Sequence, residues 1–222
     1  MIAMHETTLA QMHAFNSKFH WLHNESLGPT LEHPACRVSW IAAAAYCNWL
    51  SKEAGIEEDQ WCFVKMENGE TGLATNFLQR TGFRLPTEAE WEYACRAGTS
   101  TRTYLGDSEE LLFRNVWYIE NSREKRLSIP GTFKPNGYGL FSTLGNVKEW
   151  CMDSFDKRNP DTRFKTEDRE SRLDLDPSAA RILKGGSIYS MINDVRAATY
   201  TNLAASNYEG NTGFRVARTI AD

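Results

Sequence analysis

Basic residues hold no majority in this chain: 25 Lys and Arg stand against 29 Asp and Glu, a formal net charge of −4. Binding to a phosphate backbone runs on clustered cations, so a nucleic-acid partner is disfavoured. Apolar runs are short as well. None approaches the ~18 residues of a membrane-spanning helix, and the first ten residues lack both the basic start and the apolar stretch of a secretory leader. The expected compartment is therefore the cytoplasm, with no membrane partner. Cys36, Cys47, Cys62, Cys95 and Cys151 are odd in number and include no CxxC pair. That pattern fits neither a disulfide framework nor a thiolate zinc site, and it predicts reduced, buried thiols. Histidine stops at residue 33, with His5, His13, His20, His23 and His33. His20 and His23 can share a helix face, but no Asp, Glu or Cys follows at a spacing that completes a metal site. Neither a repeat nor a linker rich in Gly, Pro or Ser divides the 222 residues. Length and ordinary globular composition together predict one domain, residues 1–222, with one sizeable core.

What the chain has in quantity is aromatic side chains. Trp21, Trp40, Trp49, Trp61, Trp91, Trp117 and Trp150 recur through the first two thirds, as expected where a core is assembled from many short segments. Three helices are predicted. Thr8-Leu9-Ala10-Gln11 is a capping box opening a helix over residues 8–17. Ser39 caps a second, with Ala42, Ala45, Tyr46, Trp49 and Leu50 as its apolar stripe and Gly55 beyond its end. Thr87-Glu88-Ala89-Glu90 is another capping box after Pro86, with Trp91, Ala94 and Cys95 inward and Gly98 as terminator. Past Gly98, short apolar runs alternate with Gly, Pro and Asn, and residues 115–118, 139–141, 181–184 and 214–217 read as strands. Residues 153–180 form a mixed-charge loop or insertion, too polar to bury.

The stretch Gly82-Phe83-Arg84-Leu85-Pro86-Thr87-Glu88-Ala89-Glu90-Trp91-Glu92-Tyr93-Ala94 resembles the formylglycine-generating enzyme, or sulfatase-modifying factor, family. Further matches follow in order: Val38-Ser39-Trp40, Pro135-Asn136-Gly137-Tyr138-Gly139-Leu140-Phe141, Gly145-Asn146-Val147, Glu149-Trp150, Gly185-Gly186-Ser187 and Gly213-Phe214-Arg215. The resemblance implies an α+β fold of the C-type-lectin-like kind, with early helices, a small twisted antiparallel sheet and much irregular structure. It also places Trp91, Trp150, Phe214 and Trp49 in one core. Its similarity begins at Ile2, without the apolar strand that precedes this point in the family. The strand expected over residues 213–220 would then have an open edge, to be covered by another copy, another protein chain or a rearranged N-terminus.

The eponymous enzyme oxidises a sulfatase cysteine to formylglycine with Cu(I) and oxygen, holding the soft ion on two cysteines after the G-G-S motif. Here those positions carry Ser190 and Val195. No copper is expected, and the reading leans away from an enzyme. A second branch of the family uses non-haem iron on a histidine triad of an added helical domain, which His13, His20 and His23 do not supply. The resemblance further implies one Ca²⁺, held by Ser142, by the carbonyls of Gly145 and Val147 and by Glu149. Two functions follow as expectations. One is a non-catalytic module that binds a ligand or protein, in which Tyr189, Ser190, Asn193, Tyr200, Asn202 and Asn207 face the ligand, as in diversified ligand-binding relatives. The other is a formylglycine-generating oxidoreductase.

Overall fold

The computed structural model describes residues 1–18, 25–65, 71–122, 126–155 and 178–220. Helices α1 (Leu9–Phe15), α2 (Trp40–Glu53) and α3 (Glu88–Arg96) form where capping residues precede apolar faces. Thr8 and Thr87 make the reciprocal bonds of a capping box with Gln11 and Glu90, and Ser39 Oγ accepts from the Ala42 N–H. Each cap satisfies amide groups that the first helical turn cannot. Gly55, at φ 69°, closes α2. On α3 the left-handed residue is Ala97 itself, φ 48°, followed by Gly98.

A fourth helix, α4 (Glu109–Asn115), stands just before the strand expected over residues 115–118. Ser108 caps it and Glu109 and Glu110 fill its first turn, a start signal that outweighs the β-branched and aromatic residues downstream. Only Trp117 of that segment bridges a strand partner, lying parallel to Gly145. Residues 139–141 likewise run as irregular chain, because Leu140 O accepts from Asn136 N–H and Phe141 N–H donates to Met4 O.

The strands are short, and they fall into three sheets among the described residues. β1 (Phe63–Lys65) pairs β2 (Thr71–Leu73), and β3 (Phe83–Arg84) pairs β8 (Ala217–Arg218). The main sheet has the order β6-β5-β4-β7, built from β4 (Lys148–Ser154), β5 (Ala180–Lys184), β6 (Tyr200–Ala204) and β7 (Thr212–Gly213). It is antiparallel except for β4 and β7, which run parallel with Glu149 opposite Gly213. Most of the 153–180 tract lies outside the described residues, as do Trp21, His20 and His23.

Burial divides into more than one apolar cluster. Trp150 and Phe214 share the largest with Trp40, Tyr46 and Phe63, and Trp49 packs half-buried on its side. Trp91 belongs instead to a second cluster with Leu112, Val116, Tyr118, Leu144 and Ile182. The expected single core is therefore divided: β4 separates the two larger clusters and its alternating side chains serve both, Trp150 going one way, Glu149 and Cys151 the other, while Leu27, Cys36, Leu127, Val147 and Ile188 form a third, smaller one. Indole N–H groups stitch the layers together, Trp40 Nε1 donating to Cys151 O and Trp150 Nε1 to Val38 O, each at 2.8 Å.

The C-terminal strand is not a bare edge. Ala217 pairs Arg84 on one side and bridges Ile2 on the other. Ala3 N–H and Thr7 N–H donate to Val216 O and Phe214 O, at 2.8 and 2.9 Å. Of the three expected occupants of this edge, it is the N-terminus, residues 1–7, that covers it.

Trp91 is 1% exposed, and its Nε1 donates to Glu149 Oε2 at 2.7 Å. Replacing it by Ala removes a large buried ring and one of the three donors to the Glu149 carboxylate. Urea denaturation of Trp91→Ala is expected to show a loss of about 3–5 kcal/mol.

Candidate functional site

Chain geometry at Gly185-Gly186-Ser187 creates the principal cleft. Both glycines are left-handed, φ 91° and 73°. A Cβ on Gly185 would stand 3.0 Å from Thr143 O and 3.1 Å from the Trp91 ring, so only glycine lets β5 turn out of the sheet there. The turn is then held by side chains. Ser187 N–H donates to Ser190 Oγ at 3.0 Å, Ser190 N–H returns to Ser187 O at 3.0 Å, and Asn211 Nδ2 donates to Ser187 Oγ at 2.5 Å.

Beside this turn opens a cleft of ≈ 560 Å³. Its walls combine the turn residues with β4, β6 and the loop before β7, including Lys148, Leu183, Tyr200, Thr201, Glu209 and Asn211. Of the expected ligand-facing residues, Tyr189, Ser190 and Tyr200 line it. Asn202 lines a neighbouring depression of ≈ 530 Å³ that shares Tyr200. Asn193 accepts from Arg102 Nη2 at 3.1 Å, and Asn207 sits in an exposed turn; neither lines these two spaces. Sequence reasoning missed Lys148, Asp194, Glu209 and Asn211. For Lys148 a signal existed, since strand alternation beside an inward Glu149 sends it to the opposite face.

The copper positions separate in character. Ser190 stands on the cleft wall, whereas Val195 is fully buried in the second cluster. A hydroxyl and an isopropyl group do not fit Cu(I), which needs thiolates. All five cysteines are buried, and none is in a disulfide. Burial pushes the thiols of Cys47 and Cys151 well up, that of Cys62 to about 11 and that of Cys95 to about 12.

Calcium fares no better at the residues expected to hold it. Both Glu149 oxygens are engaged: Oε1 accepts from Arg215 Nη2 at 2.7 Å, and Oε2 from Arg215 Nε at 2.6 Å and Trp91 Nε1 at 2.7 Å. Its charge is already met by a guanidinium, and Ser142 brings no charge of its own. The donor set Ser142, Gly145, Val147 and Glu149 therefore does not fit a divalent cation. Among the described residues no group of three or more His, Cys, Asp or Glu is placed to hold a metal ion. Nearby Glu6 is 1% exposed, and burial, then repulsion from Glu149, raises its pKa well above the ordinary range. Asn146 Nδ2 donates to its Oε2 at 2.9 Å. No described helix is long and apolar enough to cross a membrane.

Residues 6–220 match the sulfatase-modifying factor enzyme 1-like domain. The chain belongs to this family. It is 32% identical over 199 residues to the formylglycine-generating enzyme of Streptomyces coelicolor, covering 83% of this chain and 52% of that protein. The formylglycine-generating enzyme of Thermomonospora curvata is 32% identical over 205 residues, covering 83% and 55%. The chain thus spans about half the length of these curated relatives. Among solved structures, the Treponema denticola variable protein 1 superposes with a TM-score of 0.76 at 27% identity, covering 97% of this chain and 82% of that one. The sulfatase-modifying-factor fold and the α+β class agree with the helices and sheets described above.

Burial shields all five thiols, and raised pKa values keep those of Cys47, Cys62, Cys95 and Cys151 protonated at mildly alkaline pH. Titration with a disulfide reagent at pH 8 is expected to find no fast-reacting cysteine in the native protein and all five after unfolding. A thiol that reacts at once in the folded state would contradict this placement.

Proposed function

We propose that this domain is a non-catalytic binding module of the sulfatase-modifying-factor family, whose cleft beside Gly185-Gly186-Ser187 receives a ligand or a segment of a partner protein. The observation that carries this reading is the fate of the two thiolate positions. Ser190 presents a hydroxyl to the cleft, and Val195 has turned into the core. The cleft's ≈ 560 Å³ lies within the usual range of small-molecule sites. Its mixture of Tyr, Ser, Thr and Asn supplies rigid contact area with adaptable hydrogen bonding. Loops on a packed scaffold suit that task. A shared fold does not carry an activity with it, since function resides in particular side chains.

The relatives named formylglycine-generating enzyme favour a second reading, oxidation of a cysteine in a client protein. Its soft-metal site has no sulfur to be built from at Ser190 and Val195, so the binding reading is preferred. Incubation with Cu(I), oxygen and a cysteine-containing sulfatase peptide separates the two. Mass spectrometry is expected to return unmodified peptide, and a formylglycine product would overturn the preference. In the positive arm, Thr201→Trp, at an exposed position of β6 on the cleft wall, fills the cleft. That variant should keep the wild-type melting temperature and lose ligand-induced stabilisation in a thermal-shift screen; retained ligand response would place binding elsewhere.

A further inference from the structure

Resting on the reading of the cleft as a binding site, the charged groups in its wall narrow the chemistry of what it takes. Lys148 Nζ and Glu209 Oε2 form an ion pair at 2.9 Å, with side chains 18% and 47% exposed. Lys148 is fixed by β4, and Glu209 by the loop that leads into β7. β4 turns Glu149 inward to Arg215 and so sends Lys148 to the cleft. The Lys148 main-chain N–H donates to Asn211 O at 2.8 Å, and the Glu209 N–H to Thr212 Oγ1 at 3.1 Å, where β7 begins.

Among the described residues, the pair makes one side-chain hydrogen bond, Nζ to Oε2. An ammonium carries three donors and a carboxylate two acceptor oxygens, so two N–H groups and Oε1 stay free for water or ligand. A half-exposed pair of this kind contributes little to stability. Its effect on recognition is larger. A ligand bearing one net charge would match one member and face the like charge of the other a few ångströms away, in a cleft where screening is weaker than in bulk water. A ligand with both an ammonium and a carboxylate matches both, head to tail. The remaining wall is neutral and hydrogen-bonding, from Ser187, Ser190, Thr201 and Asn211, with Tyr189 and Tyr200 as contact surface. Asp194, an exposed acid of the same lining, adds to the preference for an ammonium group.

We propose that the cleft binds a zwitterion of the amino-acid or short-peptide class, with its carboxylate on Lys148 and its ammonium on Glu209. Calorimetric titration of the full chain with the dipeptide seryl-glycine, its N-acetyl form, its C-terminal amide and the doubly blocked form tests this directly. The free dipeptide is expected to bind at least about tenfold tighter than any blocked form. Lys148→Met and Glu209→Gln, each checked for an unchanged melting temperature, should each remove that preference. Equal binding of free and doubly blocked dipeptide, or preferences untouched in both variants, would overturn the zwitterion assignment while leaving a binding cleft in place. Absence of binding by all four peptides would also overturn it. The thermal-shift behaviour of Thr201→Trp then judges the cleft itself, so the two readings fail separately.

Discussion

One buried ion pair holds the molecule's separate pieces in register. Glu149 lies on the central strand β4, and Arg215 lies between the two short C-terminal strands; their side chains are 1% and 0% exposed. A guanidinium has five N–H donors, and here each finds an oxygen: two contacts to Glu149, one each to Ala3 O and Met4 O, and one to Phe141 O. Burial opposes the charge, yet Glu149 holds the Arg215 pKa above its ordinary value. Trp91 of α3 adds a third donor to the carboxylate. The pair thus ties the amino-terminal segment, α3, the 141 loop, β4 and the C-terminal strand around one charge-compensated point. Regular secondary structure is too short here to do this alone.

The same pair explains two features of the structure. Its contacts to Ala3 and Met4 anchor the first residues beside 214–218, which is why that strand has partners on both sides. It also consumes the carboxylate that a calcium ion would have needed. Because an unpaired buried charge costs far more than a paired one returns, Glu149 cannot serve both partners at once. On the far side of β4 the alternation leaves Lys148 to face the cleft. Neighbouring residues of one strand thus hold two charge pairs, one dry and the other wet.

Much of this was legible in the residues. Capping boxes at Thr8 and Thr87 and the Ser39 cap place three helices almost to the residue, since those bonds are local and their chemistry is written in adjacent side chains. The Gly185-Gly186-Ser187 motif was legible too, as was the absence of sulfur at Ser190 and Val195 after it. Less legible were features decided by long-range pairing. Nothing local announces that Trp91 and Trp150 enter different clusters, or that β4 takes a parallel neighbour. Helix α4 had a readable start at Ser108-Glu109-Glu110, masked by the strand-like residues behind it. Glu209 and Asn211 reach the cleft only because a loop folds back beside β4, a contact made across about sixty residues of chain.

The dependence of the whole on Glu149 and Arg215 is open to a double-mutant cycle with Glu149→Leu and Arg215→Met, read by urea denaturation. Each single change strands a buried charge and is expected to cost about 3–5 kcal/mol. The double variant should cost clearly less than the sum, with a coupling of roughly 2 kcal/mol or more between contacting groups. Additive losses, or single variants within about 1 kcal/mol of wild type as for an exposed pair, would contradict the account.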